Sequence, residues 1–156
     1  MIIEKFQESQ AEEVSKLIKR NLLEITSKYY TSDYVLSLVD NFSPTQILEK
    51  ARTQHIFVAI EDAKVIGTGS LSNYGNSETP SYYGTAIFVA PEFQKKGIGR
   101  QIMQKVEAKA VEMGADKITV RAARNARIFY ENLGYIYKDG VTTQDEKGNY
   151  VMEKHF

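Results

Sequence analysis

The segment best suited to chemistry is residues 94–99, which read QKKGIG and stand directly before a long run of helix-forming residues. The first turn of a helix carries free N–H groups and a partial positive charge, which together bind phosphate and other anions. Glycine lets the backbone adopt positive φ and approach a ligand closely, while Lys95, Lys96 and Arg100 add positive charge. The pattern predicts a phosphate-binding turn. A tight strand-to-helix turn with a lysine-rich exposed rim is the alternative.

Two common phosphate-binding motifs do not fit this turn. The ATP-type P-loop requires a Gly-Lys-Ser/Thr ending, whereas Gly99 is followed by Arg100 and Gln101. The dinucleotide fingerprint requires glycine or alanine at the position that Ile102 occupies. The turn therefore favours a pyrophosphate-bearing cofactor of another kind.

A second candidate group lies in the segment NARIFYENLGY, which starts at Asn125. Asparagine is a preferred N-cap, so helix capping explains Asn125 without any ligand. The apolar positions that follow share one helical face, which indicates core packing. They are Ala126, Phe129, Tyr130 and Leu133. Tyr130 has two interpretations on these grounds, core packing or chemistry, because a buried tyrosine hydroxyl still needs a partner.

The composition limits the classes of function. The 156 residues fit one domain, 1–156, and 20 basic residues balance 20 acidic ones, which gives no support to nucleic acid or an anionic membrane as partner. The chain has no cysteine, which excludes disulfides, a thiolate metal site and a cysteine nucleophile and fits a cytoplasmic location. The N-terminus lacks a signal-peptide pattern, and no apolar run reaches the about 18 residues of a membrane span.

The elements that position these residues follow from hydrophobic periodicity and turn signals. A short strand opens the chain, and capping boxes beginning at Ser9 and Ser43 predict two of the helices that follow it. A hairpin whose tight turn reads EDAK and a strand over 79–89 then form a meander.

A helix over 97–113, with Gly114 at its C-terminal end, follows the meander. A strand, the helix after Asn125 and a closing pair of strands complete the order. The pattern predicts a mixed α/β (α+β) fold with a central, mostly antiparallel sheet flanked by helices.

Residues 87–110, which read IFVAPEFQKKGIGRQIMQKVEAKA, resemble the acyl-CoA-binding motif of the GNAT superfamily of N-acetyltransferases. Gln94, Gly97 and Gly99 match the signature positions of that motif, and Pro91 matches its loop. The segment RNARIFYENLGYI resembles the second motif of the family at the correct distance. The resemblance covers about residues 55–139 well and implies a GNAT-like fold.

The resemblance implies acetyl-CoA as acyl donor and no metal. The backbone of Phe88 and Val89 would pair with the pantetheine arm, in a gap between the 85–89 and 117–121 strands. Pyrophosphate would bind the turn amides, with Asn125 as a further contact. The turn residues are Gln94, Lys95, Lys96, Gly97, Ile98, Gly99 and Arg100. The Tyr130 hydroxyl would act as general acid on the leaving thiolate.

The family chemistry implied is direct attack of a primary amine on the acetyl carbonyl in a ternary complex. The acceptor is a small molecule, a peptide N-terminus or a lysine, and a homodimer is possible. The 79–89 strand carries no acid that could serve as general base. Glu78 and Glu92 lie in loops, His55 opens a strand, and Tyr82 and Tyr83 could relay a proton through water.

The tyrosine-rich segments ITSKYYTSDY and NYGNSETPSYY are expected to wall an amphipathic acceptor pocket, with an ordinary surface loop as the alternative. The missing acid keeps a second function open, namely a non-catalytic CoA-binding or regulatory GNAT-like module. A structural or interaction domain is the third hypothesis.

Overall fold

The chain folds around one seven-stranded sheet, and a computed structural model describes all of residues 1–156. The strands are β1 (Ile2–Lys5), β2 (His55–Glu61), β3 (Lys64–Asn73), β4 (Tyr82–Val89), β5 (Lys117–Ala122), β6 (Ile136–Tyr137) and β7 (Tyr150–His155). Their order in the sheet is β1-β2-β3-β4-β5-β7-β6. Only β4 and β5 run parallel, so the predicted mixed and mostly antiparallel sheet is confirmed.

Helices cover both faces of the sheet. They are α1 (Ala11–Glu24), α2 (Ser32–Asp40), α3 (Pro44–Ala51), α4 (Ile98–Glu112) and α5 (Arg127–Asn132). One core packs α4 and α5 against the sheet, and a second core packs the three N-terminal helices against β2 on the opposite face. None of the helices is both long and apolar enough to cross a bilayer.

Local signals at the helix ends explain where two of the N-terminal helices begin. Ser43 caps α3 as predicted, because its hydroxyl accepts a hydrogen bond from the Gln46 N–H at 3.2 Å. The capping box predicted at Ser9 is wrong. Ser9 lies in a short 3₁₀ turn, Glu8–Gln10, where the Gln10 side chain accepts from the Gln7 N–H at 2.8 Å, and α1 begins one residue later.

The hairpin between β2 and β3 forms as predicted, and Asp62 and Ala63 take φ values of 50° and 61° in its two-residue turn. The strand β4 begins three residues later than predicted, at Tyr82. The reason is the loop before it, where the side chains of Asn73 and Asn76 accept backbone N–H bonds that a ladder would otherwise use.

The feature of the sheet that matters most for a site is the separation of β4 from β5. These strands pair only at Tyr83–Thr119 and Gly84–Val120. Beyond that point β4 carries a bulge, where Ala86 has a φ of 53° and the register with β3 shifts. The C-terminal half of β4 therefore has a free edge, as expected for the gap between these strands.

Candidate functional site

A cleft of about 680 Å³ opens at the gap between β4 and β5. The last residues of β4, the turn before α4, the C-terminal part of α1 and the start of α5 line it. The glycine-rich turn and the Asn125 segment, which lie about thirty residues apart in the sequence, therefore meet at one cleft.

The turn before α4 presents free backbone donors to this cleft. Lys95 and Gly97 both take left-handed conformations, with φ values of 61° and 82°. The N–H groups of residues 95–100 bond to no acceptor in the protein. A Cβ built on Gly97 would meet nothing within 4 Å. The glycine therefore leaves open space beside a row of unpaired donors, which is the geometry of an anion site.

Positive side chains surround the same turn. Lys95, Lys96 and Arg100 are exposed and have no acidic partner. Lys95 and Arg100 line the cleft. Lys96 does not line it, and its Nζ lies 5.3 Å from the centre of the Phe93 ring. The unpaired cations raise the affinity of the turn for an anion.

Ile98 differs from the other residues of the turn. Its side chain is 6% exposed and packs in the core under α4. Of this residue, only the backbone N–H is placed to serve a ligand, and the side chain anchors the turn instead.

The free edge of β4 offers Val89 rather than Phe88. The Ala90 N–H donates to the Ile66 carbonyl at 2.8 Å, and successive residues of a strand alternate in the direction of their backbone groups. The backbone of Val89 therefore faces the gap, and that of Phe88 faces β3. The Phe88 side chain still lines the cleft, with its ring 6.2 Å from that of Phe42.

Two amides join the end of β4 to α1. The Gln94 Nε2 donates to the Val89 carbonyl at 3.1 Å and to the Asn21 Oδ1 at 3.4 Å. Asn21 is 3% exposed and donates in turn to the Leu17 carbonyl at 2.9 Å. Asn21 was not predicted as a site residue, although a polar residue on the apolar stripe of α1 was a signal that could have found it.

Replacing Gln94 with Met should lower the free energy of unfolding by about 1 kcal/mol, because the Val89 carbonyl and Asn21 lose a donor. Urea denaturation measures the change. Gln101→Met is the matched control, since Gln101 is exposed in the first turn of α4 and forms no side-chain hydrogen bond, and it should shift stability by less than about 0.5 kcal/mol. Equal stability of the two variants would show that the Gln94 bonds contribute nothing.

Asn125 does not cap the helix. The helix α5 begins at Arg127, its N-cap is Ala126, and no side chain caps it. Asn125 is exposed, lines the cleft and makes no side-chain hydrogen bond to the protein. The turn that carries it is fixed from a distance, because the Tyr30 hydroxyl accepts the Arg124 N–H at 3.0 Å. The capping interpretation is therefore wrong, and the amide is free for a ligand.

Tyr130 is buried, with 7% of its surface exposed. Its ring packs edge-on against Phe129 and Tyr135, with centroids 5.0 and 5.4 Å away. Burial raises the pKa of Tyr130 well above the ordinary value of a tyrosine. Phe129 lines the cleft, whereas Tyr130 does not. The Tyr130 hydroxyl bonds to no protein group, and its oxygen is not completely shielded from solvent. The ring is thus part of the core and the hydroxyl stays protonated and free.

A second cavity, of about 370 Å³, lies between the N-terminal helices and strands β2–β4. We call it the α1–α3 cavity, because those helices and β2–β4 enclose it. Its floor carries the hydroxyl residues Thr68, Ser70 and Thr85. Thr85 and Ala86 line this cavity, while the next residues of β4, Ile87 to Val89, line the cleft. The two spaces therefore adjoin at the β4 bulge.

None of the acids or the histidine considered as a base lines the α1–α3 cavity. Glu92 pairs with Arg20 at 2.8 Å, and that hydrogen bond lowers the pKa of the carboxyl. His55 follows the strand alternation to the face opposite Ile56, and burial lowers its pKa. Glu78 stays in the exposed loop. Among the tyrosines expected at this wall, only Tyr74 lines the cavity.

Comparison with known proteins agrees with this architecture. The family model described as acetyltransferase (GNAT) domain matches residues 52–137. None of the curated proteins matches the chain.

Solved structures share the fold over nearly the whole chain. The PaiA N-acetyltransferase from Thermoplasma acidophilum, in complex with coenzyme A, is 18% identical over 100% of both chains, with a TM-score of 0.82. A GCN5-related N-acetyltransferase from Rhodopseudomonas palustris is 18% identical over 99% of this chain and 95% of its own, with a TM-score of 0.83. An aminoglycoside 6′-N-acetyltransferase complexed with coenzyme A is 17% identical over 99% and 97%, with a TM-score of 0.75.

Proposed function

Because this chain belongs to the GNAT family of acetyltransferases, we propose that it transfers an acetyl group from acetyl-CoA to a primary amine. The observation that carries the proposal is the cleft at the β4–β5 gap, where the unpaired N–H groups of residues 95–100 adjoin the free backbone edge at Val89. A pyrophosphate attached to an extended amide chain is the kind of ligand that such a combination suits.

The residues of the cleft fit coenzyme A. The open space beside Gly97 and the unpaired Lys95 and Arg100 suit the pyrophosphate. The backbone N–H of Val89 and the backbone N–H and carbonyl of Ile87 suit the amides of a pantetheine arm. The Asn125 side-chain amide is a further free donor. Two of the structurally similar proteins were crystallised with coenzyme A, which supports this assignment.

Acetyl-CoA, when bound, would supply the acetyl group as a thioester. The chain's part in the transfer is to hold two substrates side by side, since the cleft and the α1–α3 cavity adjoin at Ala86. Such proximity supplies much of a rate enhancement. Direct attack by the amine suits a chain that has no cysteine nucleophile. The Tyr130 hydroxyl, which bonds to no protein group, would hold the proton that the leaving sulfur takes up.

The acceptor amine must lose a proton, and the chain offers no side-chain base in the cavity that would hold it. We therefore assign this step to water. The Ser70 hydroxyl could hydrogen-bond such a water molecule, because it bonds to no protein group and Ser70 lines the cavity with 3% of its surface exposed.

The absence of a side-chain base favours a second candidate function, a CoA-binding module that does not catalyse transfer. Such a module needs the cleft and its turn but no acceptor cavity with a path for protons. The α1–α3 cavity, which adjoins the cleft, is the reason that transfer is the first proposal.

An amine panel distinguishes the two functions. The protein is mixed with acetyl-CoA and single amines from the classes of amino acids, polyamines and peptides, and free thiol and acetylated product are measured together. Stoichiometric thiol and N-acetyl product support transfer. Binding of acetyl-CoA without product from any class would favour the non-catalytic module.

A further inference from the structure

The wall of the α1–α3 cavity carries one cation, Lys50. Its Nζ donates to the Asn41 carbonyl at 2.9 Å and lies 5.1 Å from the centre of the Phe42 ring. Asn41 and Phe42 line the same cavity, so the ammonium is held at the cavity wall. An ammonium has more N–H donors than one carbonyl uses.

No carboxylate neutralises this ammonium. Lys50 takes part in none of the ion pairs of the protein. The cavity lining contains no aspartate and no glutamate. A partly buried ammonium without a counter-ion attracts an anionic group of a ligand.

The rest of the cavity is small and mostly apolar. Its volume of about 370 Å³ is near the lower end for ligand pockets. The apolar wall comes from the N-terminal helices and β2, and its members include Val14, Ile18, Leu38, Ile47 and Ile56. The opposite side is the hydroxyl floor of β3, next to the bulge of β4. A ligand that fits has an apolar body with a charged group at one end.

We propose that the acceptor is a small amino acid-like amine, whose carboxylate pairs with Lys50 while its apolar body fills the α1–α3 cavity. The proposal rests on the proposed function, because it assigns this cavity to the acceptor. Polyamines and other polycationic amines are disfavoured, since the cavity offers them a like charge and no carboxylate.

The transfer balances for such an acceptor. The amine nitrogen forms a bond to the acetyl carbon as the carbon–sulfur bond breaks. Nitrogen loses one proton and sulfur takes up one. The products are an N-acetyl amino acid and free coenzyme A.

The test compares leucine with leucinamide and spermidine in the wild-type protein. We expect kcat/KM for leucine to exceed that for leucinamide by about tenfold or more, the effect of one charge-assisted bond. The amide is the stricter comparison, because its amine is the less basic and hence more often the free base. Binding of leucine to the protein with coenzyme A bound is measured by calorimetry as a second readout, and leucinamide should bind more weakly by a similar factor.

Lys50→Met removes the charge and keeps the length of the side chain. The variant should lose the preference for leucine in both readouts, and Lys50→Arg should keep it. If Lys50→Met fails to fold, the wild-type comparison decides alone.

The outcomes separate the inference from the proposed function. A wild-type preference for leucinamide or spermidine, or a preference for leucine that Lys50→Met leaves unchanged, overturns the inference only. If the protein binds acetyl-CoA but neither binds nor acetylates any of the three amines, the inference is also overturned. No acetyl-CoA binding at all overturns both.

Discussion

Replacing Tyr130 with Phe is expected to lower kcat about 100-fold while changing the affinity for acetyl-CoA little, as loss of a general acid does. The ring keeps its packing against Phe129 and Tyr135, so only the hydroxyl is lost. Burial raises the pKa of that hydroxyl, which keeps the proton in place across the neutral range. Steady-state kinetics with a reactive amine, together with calorimetry of acetyl-CoA, measure the two effects separately.

Tyr135→Phe is the matched control, because Tyr135 is a buried neighbour whose hydroxyl donates to the Glu107 carboxylate at 2.6 Å. Its loss should cost about 2 kcal/mol of stability, the range for a bond to a charged group, and leave kcat unchanged. If Tyr130→Phe turns over as fast as the wild type, core packing is the whole role of Tyr130, and the proton for the leaving group comes from elsewhere.

A Gly97→Val variant is expected to raise the Kd for acetyl-CoA by about tenfold or more. Gly97 holds a φ of 82°, and its missing Cβ leaves the space beside the free N–H groups of residues 95–100 open. A branched side chain fills that space and strains the turn by about 1–2 kcal/mol. Calorimetry gives the affinity, and thermal unfolding gives the loss of stability.

Gly114→Val separates strain from binding. Gly114 has a φ of 89°, a Cβ there would also meet nothing within 4 Å, and it follows the other end of α4. The strain should therefore be similar, but the affinity for acetyl-CoA should equal that of the wild type. Equal losses of affinity in both variants would mean that Gly97 serves only the turn.

The order of the elements was predictable because each is written in local periodicity. The hairpin turn at Asp62, the cap at Ser43 and the glycine after α4 are signals within a few residues of the feature they specify. The late start of β4 was not, because it depends on how Asn73 reaches Ser81 across a loop. The capping box at Ser9 failed because a 3₁₀ turn competes for the same residues.

The cleft was predictable only in part. The turn residues and Asn125 were assigned together through the family motifs, and the structure brings them to one cleft. Which backbone groups of β4 face the gap depends on strand alternation next to the bulge at Ala86, which no local pattern specifies. The fixing of the Asn125 turn by Tyr30 joins parts of the chain far apart in sequence.

The α1–α3 cavity and Lys50 were beyond sequence reasoning for the same reason. The chain has 20 basic residues, and in the sequence Lys50 is simply one of them, on an amphipathic helix. Its proposed role as a ligand-binding cation becomes visible only when the fold places it in one cavity with residues of β3 and β4. The alternating hydroxyl residues Thr68 and Ser70 were a weak sequence signal for this cavity, since a buried strand usually carries apolar residues at such positions.

The most direct test of the account is thermal unfolding of the wild-type protein with increasing acetyl-CoA. A ligand that binds only the folded state should stabilise it by about 2.7 kcal/mol at a concentration one hundred times its Kd. We expect stabilisation that grows with concentration and that Gly97→Val weakens. An unfolding transition that does not move at saturating acetyl-CoA would contradict the assignment of the cleft and the proposed transfer.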